Sequence, residues 1–183
     1  PWVSAAHQIT KLVIDEGITS IGDGAFFDTP NLKSAEIPAS VTKIGVRAFN
    51  WAETMDSLTF AKESKLKEIG YAAFNAIAIS EVTIPASVEK IDKQAFGNDG
   101  SLTTVLFEQD SALKEIEENA LFKCGKLAKL TLPEGLTTIG NRAFNNENAN
   151  LAAVVIPSTV TSFGDEIYNT QNGCLYFANS EVY

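Results

Sequence analysis

The chain has 183 residues, of which 45% are hydrophobic and 20% charged, a composition typical of a soluble folded protein rather than of a disordered or membrane protein. Its formal net charge is −9, which disfavours binding to nucleic acid or to an anionic lipid surface because like charges repel. No run approaches the roughly 18 consecutive apolar residues that a membrane span requires. We therefore expect neither a nucleic-acid partner nor a membrane span.

A repeated pattern dominates the chain from residue 9 onward. The dipeptide Ala-Phe occurs at Ala25-Phe26, Ala48-Phe49, Ala73-Phe74, Ala95-Phe96 and Ala143-Phe144. Ala120-Leu121 and Ile167-Tyr168 stand in its place at two further positions. Successive aromatic positions are 22 to 25 residues apart, most of them 23 to 25, which lies in the range of leucine-rich repeats. The spacing therefore predicts seven repeats of one short supersecondary unit.

Each repeat contains seven apolar positions, spaced as in L-x-x-L-x-I-x-x-x-V-x-x-I-x-x-x-A-F. Seven repeats of seven positions give 49 sites, and an apolar residue occupies every one, although only 45% of the chain is hydrophobic. The repeats that start at Met55 and Leu102 carry two extra residues after the third apolar position, and both contain Ser-x-Leu-Lys-Glu-Ile. This register indicates a continuous core formed by stacked units.

The spacing also predicts the shape of each unit. The opening segment ends in strict alternation, as in Val82-Thr83-Ile84, and indicates a short strand, and Pro85 follows where a stacked strand must end. The V-x-x-I segment indicates a second short extended piece. Ala-Phe indicates a short helical or 3-10 turn, which Asn50 and its equivalents would end in the left-handed conformation. We predict a right-handed α/β solenoid of the leucine-rich-repeat type, with parallel strands and seven repeats over 9–171, and a partial eighth repeat or C-terminal end over 172–183.

Two segments carry a resemblance to a known family. Residues 81–88 read Glu-Val-Thr-Ile-Pro-Ala-Ser-Val, and residues 136–144 read Leu-Thr-Thr-Ile-Gly-Asn-Arg-Ala-Phe. Over about residues 9–168 the chain resembles the BspA-type leucine-rich repeat family of bacterial surface proteins. The resemblance implies an extracellular or wall-attached bacterial protein that adheres to host matrix proteins or to other cells. It also implies that residues 1–8 are the remnant of an N-terminal cap, in a fragment of a larger protein.

The sequence suggests no catalytic site, no metal site and no cofactor. His7 is the only histidine and precedes the first repeat, so a Ser-His-Asp or Cys-His arrangement has a single candidate base outside the solenoid. Cys124 and Cys174 are two coils apart, about 9.5 Å along the stack, which exceeds the roughly 7 Å between Cα atoms that a disulfide spans. We therefore expect no enzyme activity, and no disulfide between these cysteines.

The outward positions of the first strand form a column that offers a first candidate binding site. The column comprises Val13, Glu36, Thr59, Thr83, Leu106, Thr131, Val155 and Tyr176. Its middle is threonine-rich, which suits a solvated strand ladder, whereas it becomes apolar at Val155 and Tyr176, with Ala153 beside them and Leu106 further back. Exposed aromatic residues in apolar surroundings favour protein contacts, so these four residues form the candidate. The alternative is that Tyr176 only covers the last coil or meets a following cap.

Two aromatic residues form a second candidate site. Trp51 and Tyr71 lie outside the apolar register in neighbouring repeats. Exposed, they would provide the amphipathic rings that protein interfaces favour. The alternative for Trp51 is that its ring folds inward over the turn that ends at Met55.

These observations favour a non-catalytic protein-binding or adhesion module that is monomeric and presents its repeat-built surface to a protein. The partner would be, for example, a host extracellular-matrix or cell-surface protein. A structural spacer that holds another domain away from the cell surface is the alternative. A contiguous surface patch favours binding, whereas uniform polar columns favour the spacer.

Overall fold

The computed structural model describes residues 3–145, 150–167 and 174–177. A 3-10 helix over Val3–Gln8 precedes strands that alternate between two positions in each repeat. No helix of the described residues has the length and apolarity needed to cross a membrane. The odd-numbered strands are β1 (Lys11–Val13), β3 (Ser34–Ile37), β5 (Ser57–Phe60), β7 (Glu81–Ile84), β9 (Thr104–Phe107), β11 (Lys129–Thr131), β13 (Ala153–Ile156) and β15 (Cys174–Phe177). The even-numbered strands are β2 (Ser20–Ile21), β4 (Lys43–Ile44), β6 (Glu68–Ile69), β8 (Lys90–Ile91), β10 (Glu115–Ile116), β12 (Thr138–Ile139) and β14 (Ser162–Phe163).

Successive repeats stack as the coils of a parallel solenoid. The described even-numbered strands form one sheet in the order β14-β12-β10-β8-β6-β4-β2, with each strand paired in parallel to its neighbours. Equivalent residues of successive repeats lie side by side, as Ile21, Ile44 and Ile69 do. The predicted solenoid of the leucine-rich-repeat type, with parallel strands and a second short extended segment, is confirmed. We number the coils 1 to 7, so that coil 1 contains β1 and β2 and coil 7 contains β13 and β14.

The odd-numbered strands keep the same register, but their sheet is interrupted twice. They pair in three parallel groups, β1-β3-β5, β7-β9 and β11-β13-β15. Each interruption follows a coil with the two-residue insertion, coil 3 or coil 5. The two insertions share one conformation, because Glu63 and Asp110 have φ of 55° and 57°, and Ser64 and Ser111 each accept a backbone amide at 3.3 Å. We call the outward surface of the odd-numbered strands the front face.

The Ala-Phe segments are hydrogen-bonded turns, which corrects the predicted helical or 3-10 turn. In coil 2 the Ala48 amide donates to Gly45 within the turn at 3.4 Å, whereas the Phe49 amide donates to Ala73 of coil 3 at 2.7 Å. An α-helix would satisfy both amides internally. The alternation requires a left-handed residue two places before the aromatic position, such as Arg47 with φ 54°. We call these bonds between the turns of successive coils the turn ladder.

The asparagines that follow the aromatic position also differ from the prediction. Asn50 and Asn75 are buried, and their Nδ2 groups donate to carbonyls of the next coil, Ala72 at 3.5 Å and Gln94 at 3.4 Å. The left-handed residue lies one place further along, at Trp51 with φ 63° in coil 2. These asparagines therefore join coils to each other and do not end a helix.

The predicted apolar register forms the core. All seven predicted sites are buried in coils 2, 4 and 6. In coils 3 and 5 the third site, occupied by Phe60 and Phe107, is only half-buried, so the insertion moves the same residue outward in both. The end coils are less well covered: Ile18 and Phe163 are exposed, and among the described strands β2 and β14 each pair along one edge only.

A stack of aromatic rings runs through the first four coils. The rings are nearly parallel, and their centroids are 5.1, 5.2 and 5.3 Å apart from one coil to the next, within the range of favourable offset stacking. The next coil has Leu121 in the aromatic slot, so the stack ends there. The stacked residues are Phe26, Phe49, Phe74 and Phe96.

Candidate functional site

Leu106 interrupts a polar stretch of the front face. It lies opposite Thr83 of β7, and the equivalent position on β11 is Thr131. The side chain of Leu106 is 50% exposed, whereas both threonines are exposed polar residues of the kind expected in a solvated ladder. A half-exposed leucine leaves a large apolar area in water, which favours its burial by a partner.

A cleft of about 1020 Å³ opens beside Leu106, between β9 and β11. It lies at the second interruption of the front sheet, and its walls come from residues 103–111 of coil 5 and from the 128–135 segment of coil 6. The two coils remain joined elsewhere, since β10 pairs with β12 and the Leu121 amide donates to Ala143 at 2.8 Å. The cleft is therefore an opening of the front face alone and does not separate two units.

The packing behind the cleft differs from the packing behind the first interruption. In coil 3 the half-buried Phe60 packs edge-on against Phe74, with ring centroids 6.4 Å apart and planes at 90°. In coil 5 the equivalent pair is Phe107 and Leu121, so an aliphatic side chain replaces the ring that would hold Phe107. Edge-to-face pairs add about 0.5–1.5 kcal/mol beyond their area burial, and coil 5 lacks this contribution.

Charged side chains are distributed unevenly around the cleft. Glu108, Asp110 and Glu134 are exposed where β9 and β11 have ended, and Lys129 lies where β11 begins. The strands are parallel, so the three carboxylates share one end of the cleft and the lining amine occupies the other. At the acidic end, the Nζ of Lys114 donates to the carbonyl of the lining residue Gly135 at 3.2 Å, and Oε2 of Glu108 accepts the Ala86 amide of coil 4 at 2.9 Å. The rim therefore carries more negative than positive charge.

The C-terminal part of the first candidate lies apart from Leu106. Ala153 and Val155 are half-buried on β13, and the backbone of Val155 lies between those of Thr131 and Tyr176. The side chain of Tyr176 lies outside the described residues. The cleft and Thr131 separate Leu106 from this group, so the four predicted residues do not form one continuous surface in the described part of the chain.

Trp51 and Tyr71 have different neighbours. The Trp51 ring is 51% exposed, so it does not fold inward, and it packs against Phe27 of coil 1 with centroids 5.3 Å apart. The Tyr71 ring instead lies under the guanidinium of Arg47, whose Cζ is 5.5 Å from the ring centroid, a cation–π contact. The aromatic pair on this side is therefore Phe27 with Trp51. The sequence feature that could have indicated this pair is Phe27, because coils 2, 3 and 6 have asparagine at the same position.

The face of the even-numbered strands carries charges that pair with one another. Lys43 contacts Glu68 at 3.0 Å along one column of this sheet. Lys90, further along the same column, lies 3.1 Å from Glu117 and 3.8 Å from Glu115. The hydrogen bond to Glu117 raises the pKa of Lys90 above its ordinary value. This face is therefore a ladder of mutually compensated charges.

A buried carboxyl lies where coils 4 and 5 meet. Asp99 is fully buried, and its Oδ1 accepts the Ser101 amide at 2.9 Å. Burial raises the pKa of Asp99 to about 7, and backbone amides that donate to it limit the increase. In the equivalent position of coil 5, Cys124 is buried, donates to the Phe96 carbonyl at 3.2 Å, and has its pKa raised by burial. Within the described residues no three His, Cys, Asp or Glu side chains gather in a way that could hold a metal ion.

Solved structures of bacterial proteins have a similar fold. The pneumococcal vaccine antigen PcpA has a TM-score of 0.58 and 24% identity over 94% of this chain and 57% of its own. A leucine-rich repeat protein from Eubacterium ventriosum has a TM-score of 0.51 and 19% identity over 98% of this chain and 63% of its own. The T. pallidum leucine-rich repeat protein TpLRR has a TM-score of 0.51 and 18% identity over 96% and 76%. This chain thus spans less than two thirds of the length of the first two.

The family is shown by the sequence. A comparison with curated protein sequences finds no match. A family profile described as "BspA type Leucine rich repeat region" matches the chain in six copies, over residues 4–109 and 55–174. Repeat families of this type are typically non-catalytic and generally bind proteins. Because the matched residues make up most of the sequence, the chain belongs to the BspA-type leucine-rich repeat family.

Proposed function

We propose that this chain is a non-catalytic protein-binding module of a bacterial cell-surface or secreted protein, and that it binds its partner through the front face. The observation that carries the proposal is Leu106, a half-exposed leucine at the rim of the cleft between β9 and β11. A concave surface with an exposed apolar side chain and a few polar groups is the usual form of a recognition site. On this front face, the cleft beside Leu106 has that form.

The contrast with the other long face supports this choice. The even-numbered strands present charges that already pair along the stack, such as Lys43 with Glu68 and Lys90 with Glu117. A partner that covered this face would have to replace those contacts and remove water from the charges, which offsets much of what it would gain. The front face has no such requirement around Leu106.

We propose an extracellular or cell-surface location, adhesion to host matrix or cell-surface proteins, and a monomeric state. Membership of the BspA-type family supports the location and the adhesive role. The net charge of −9 supports a monomer, because copies of an acidic chain repel one another.

The contact would extend toward the C-terminal end of the front face. Val155 and the backbone of Tyr176 continue the column beyond Thr131, and Ala153 lies beside them. A partner that fills the cleft at Leu106 and continues along the stacking axis would pass Thr131 and then reach Val155. The Phe27–Trp51 pair is on the turn side of coils 1 and 2 and would contribute only to a second contact.

The test is affinity capture on the immobilised full chain, followed by titration of each captured protein against two matched variants. Leu106→Asp should weaken binding at least tenfold, because an interface that buries leucine would have to bury a carboxylate in its place. Thr59→Asp is the control, since Thr59 occupies the equivalent outward position in coil 3, beside the same insertion. It should leave the affinity within twofold of the wild type, and both variants should unfold at the wild-type temperature.

Two outcomes would contradict the proposal in different ways. Equal affinities for the wild type and Leu106→Asp would place the contact away from the cleft. A chain that retains no protein from host-matrix or bacterial-surface extracts would favour the spacer, for which the threonine-rich column is suited. If a captured protein binds away from the cleft, Tyr176→Ala tests the C-terminal end of the front face and Trp51→Ala tests the Phe27–Trp51 pair.

A further inference from the structure

We propose that the Phe27–Trp51 pair is a second binding site, at which an arginine side chain of a partner protein stacks on the Trp51 ring. Two exposed carboxylates beside the ring, those of Asp28 and Glu53, would bind the same guanidinium. The site lies on the turn side of coils 1 and 2, away from the front-face cleft. The inference rests on the proposed role as a protein-binding module, but it does not depend on the cleft.

Trp51 is an unfavourable residue for the position that it occupies. Its backbone is left-handed, with φ of 63°, as the turn also requires of the equivalent residues Asp28 and Asn98, with φ of 52° and 60°. Aspartate and asparagine tolerate this conformation, whereas a bulky side chain there is unusual and costs stability. Burial does not compensate for that cost, because Trp51 is 51% exposed. A strained and exposed aromatic residue is better explained by binding than by folding.

Phe27 also replaces a residue that would serve the fold. At the equivalent position of coils 2 and 3, Asn50 and Asn75 are buried and join their coil to the next through their Nδ2 groups. Phe27 has no such donor and is exposed, and its ring packs against Trp51 with the two planes at 39°. On the other side of Trp51 along the stack, the equivalent residue is Ala76, which has no ring to cover it. Together, the two departures from the repeat produce a tryptophan ring that is supported on one side only.

Two other partly exposed aromatic rings on the turn side carry a cation from this chain. The guanidinium of Arg47 lies over Tyr71, and the Nζ of Lys123 lies over Phe122, 5.1 Å from its ring centroid. Within the described residues no lysine or arginine lies over the Trp51 ring, although tryptophan attracts cations more strongly than tyrosine or phenylalanine. A cation supplied by a partner would complete the pattern.

The carboxylates beside the Trp51 ring are available to such a cation. Asp28 holds the same left-handed position in coil 1, so its backbone is one coil spacing, about 4.8 Å, from that of Trp51. Glu53 lies two residues beyond Trp51, and both carboxylates are exposed. In the part of the chain that the structure describes, neither takes part in an ion pair or a hydrogen bond. By contrast, the carboxylate of Asp23 already accepts the Val46 amide at 2.8 Å.

This combination of groups favours arginine over lysine. A guanidinium is planar, so its face can stack on a ring while the N–H groups at its edge donate to carboxylates. An ammonium is a compact and strongly hydrated point charge that has no flat face to stack. The net charge of −9 attracts a basic segment to the surface in general, and the ring with its two carboxylates would hold it at this place.

The probe for the test is a displayed library of random ten-residue peptides, selected on the immobilised full chain. We expect the enriched peptides to contain arginine in excess of the starting library and in preference to lysine. In the tightest-binding peptide, replacement of arginine by lysine should weaken binding by at least about fivefold, because the stacking is lost while the charge is kept. No enrichment, or enrichment without arginine, would overturn the proposal.

A matched pair of variants separates binding from folding. Trp51→Asn removes the ring and places a residue that tolerates the left-handed backbone, so it should weaken the peptide by at least about tenfold without lowering the urea concentration at which the chain unfolds. Asn98→Ala is the control, because Asn98 holds the same left-handed position in coil 4 and is exposed. It should change the affinity by less than about twofold. A Trp51→Asn chain that still binds the peptide would overturn the proposal.

A second pair of variants locates the charge. The double variant Asp28→Asn, Glu53→Gln should weaken the peptide by at least about fivefold, since it removes both acceptors beside the ring. The control is Asp110→Asn, Glu63→Gln, which changes the net charge equally at exposed positions in the two insertions. It should change the affinity by less than about twofold. A similar effect of both would show that the peptide responds to the overall charge, and it would contradict binding at Trp51.

The same variants distinguish this inference from the front-face proposal. If a captured protein depends on Leu106 but no arginine peptide depends on Trp51, the proposed function stands and this inference fails. If an arginine peptide depends on Trp51 while no captured protein depends on Leu106, the second site stands and the contact at the cleft fails. If the chain captures neither protein nor peptide, both fail.

Discussion

Coils 3 and 5 contain the same insertion, and the front sheet is interrupted after both, but the two junctions are held differently. The inserted segments match in conformation, with a left-handed residue at Glu63 or Asp110 in each. After coil 3 the Ala78 amide donates to Met55 at 3.0 Å and holds the start of the next coil in place. Within the described residues no corresponding backbone bond follows coil 5. The insertion alone therefore does not determine how the following coil is held.

The difference lies in what supports each coil from behind. Phe74 of coil 3 stacks between Phe49 and Phe96 and also receives the edge of Phe60. Coil 5 has Leu121 in that slot, so it lacks both contacts. We interpret the insertion as the cause of each interruption in the sheet, and the aromatic stack as additional support behind the first one. Three changes test this comparison, from the largest expected effect to the smallest.

Truncation of the aromatic slot should cost more in coil 3 than in coil 5. Phe74→Ala should lower the free energy of unfolding by about 3–5 kcal/mol, because it leaves a large cavity and removes three ring contacts. Leu121→Ala should cost about 2–3 kcal/mol, since a leucine fills less space and has no ring contacts to lose. Urea unfolding of both variants measures the difference. Equal losses would contradict the role assigned to the stack.

The buried carboxyl between coils 4 and 5 should make stability depend on pH. The pKa of Asp99 is about 7 in the folded chain and 3.8 when unperturbed, so the unfolded chain releases this proton first as pH rises. The stability of the wild type should therefore fall between about pH 4 and pH 7, by at most about 4 kcal/mol, and Asp99→Asn should remove that fall. Coil 3 has Ile77 in the equivalent position and adds no such dependence.

Urea unfolding at several pH values between 4 and 7.5 compares the two proteins. The stability difference between Asp99→Asn and the wild type should grow in favour of the variant as pH rises. A difference that stays constant with pH would show that Asp99 titrates near its ordinary value in the folded chain.

Replacement of the equivalent lysines that follow the two insertions should have the smallest effect on stability. Lys67 contacts Glu89 at 2.7 Å with both side chains more than half exposed, and Lys114 donates to a backbone carbonyl at 3.2 Å. Either lysine changed to alanine should lower the free energy of unfolding by less than about 1 kcal/mol, because exposed pairs are screened by solvent. A loss above about 2 kcal/mol for either would contradict this ranking.

The repeat register was predictable from the sequence because burial leaves a periodic signal. A site such as Ile44 must be apolar in every coil, since it stacks on its equivalents at Ile21 and Ile69. The outward column was predictable for the same reason, although the sequence drew attention to its C-terminal end at Val155 and Tyr176 more than to Leu106. What the pattern could not report was the degree of burial, so Phe60 and Phe107 counted as core sites although the insertion moves both outward.

The turn and the cleft were not predictable because they depend on neighbouring coils. Ala-Phe favours a helix when a single repeat is read alone, but the Phe49 amide bonds to the next coil. The cleft lies beside an insertion, in a repeat that has a leucine at Leu121, and the sequence shows both features but not that they lie together in the stack. The neighbours of Trp51 and Tyr71 were missed likewise, because each ring packs against the preceding coil, on Phe27 and Arg47.

The left-handed residues of the turn ladder bear on how short such a protein can be. Arg47, Ala72 and Gln94 each adopt this conformation, which costs an isolated residue about 1–2 kcal/mol. Each donates its amide to the following coil, at 2.8, 2.9 and 3.0 Å. A coil without a successor keeps the cost and loses the bond, so no coil can hold its own shape alone. Length is therefore a condition for this fold, and a chain shortened from its C-terminal end should be least stable in whichever coil becomes the last.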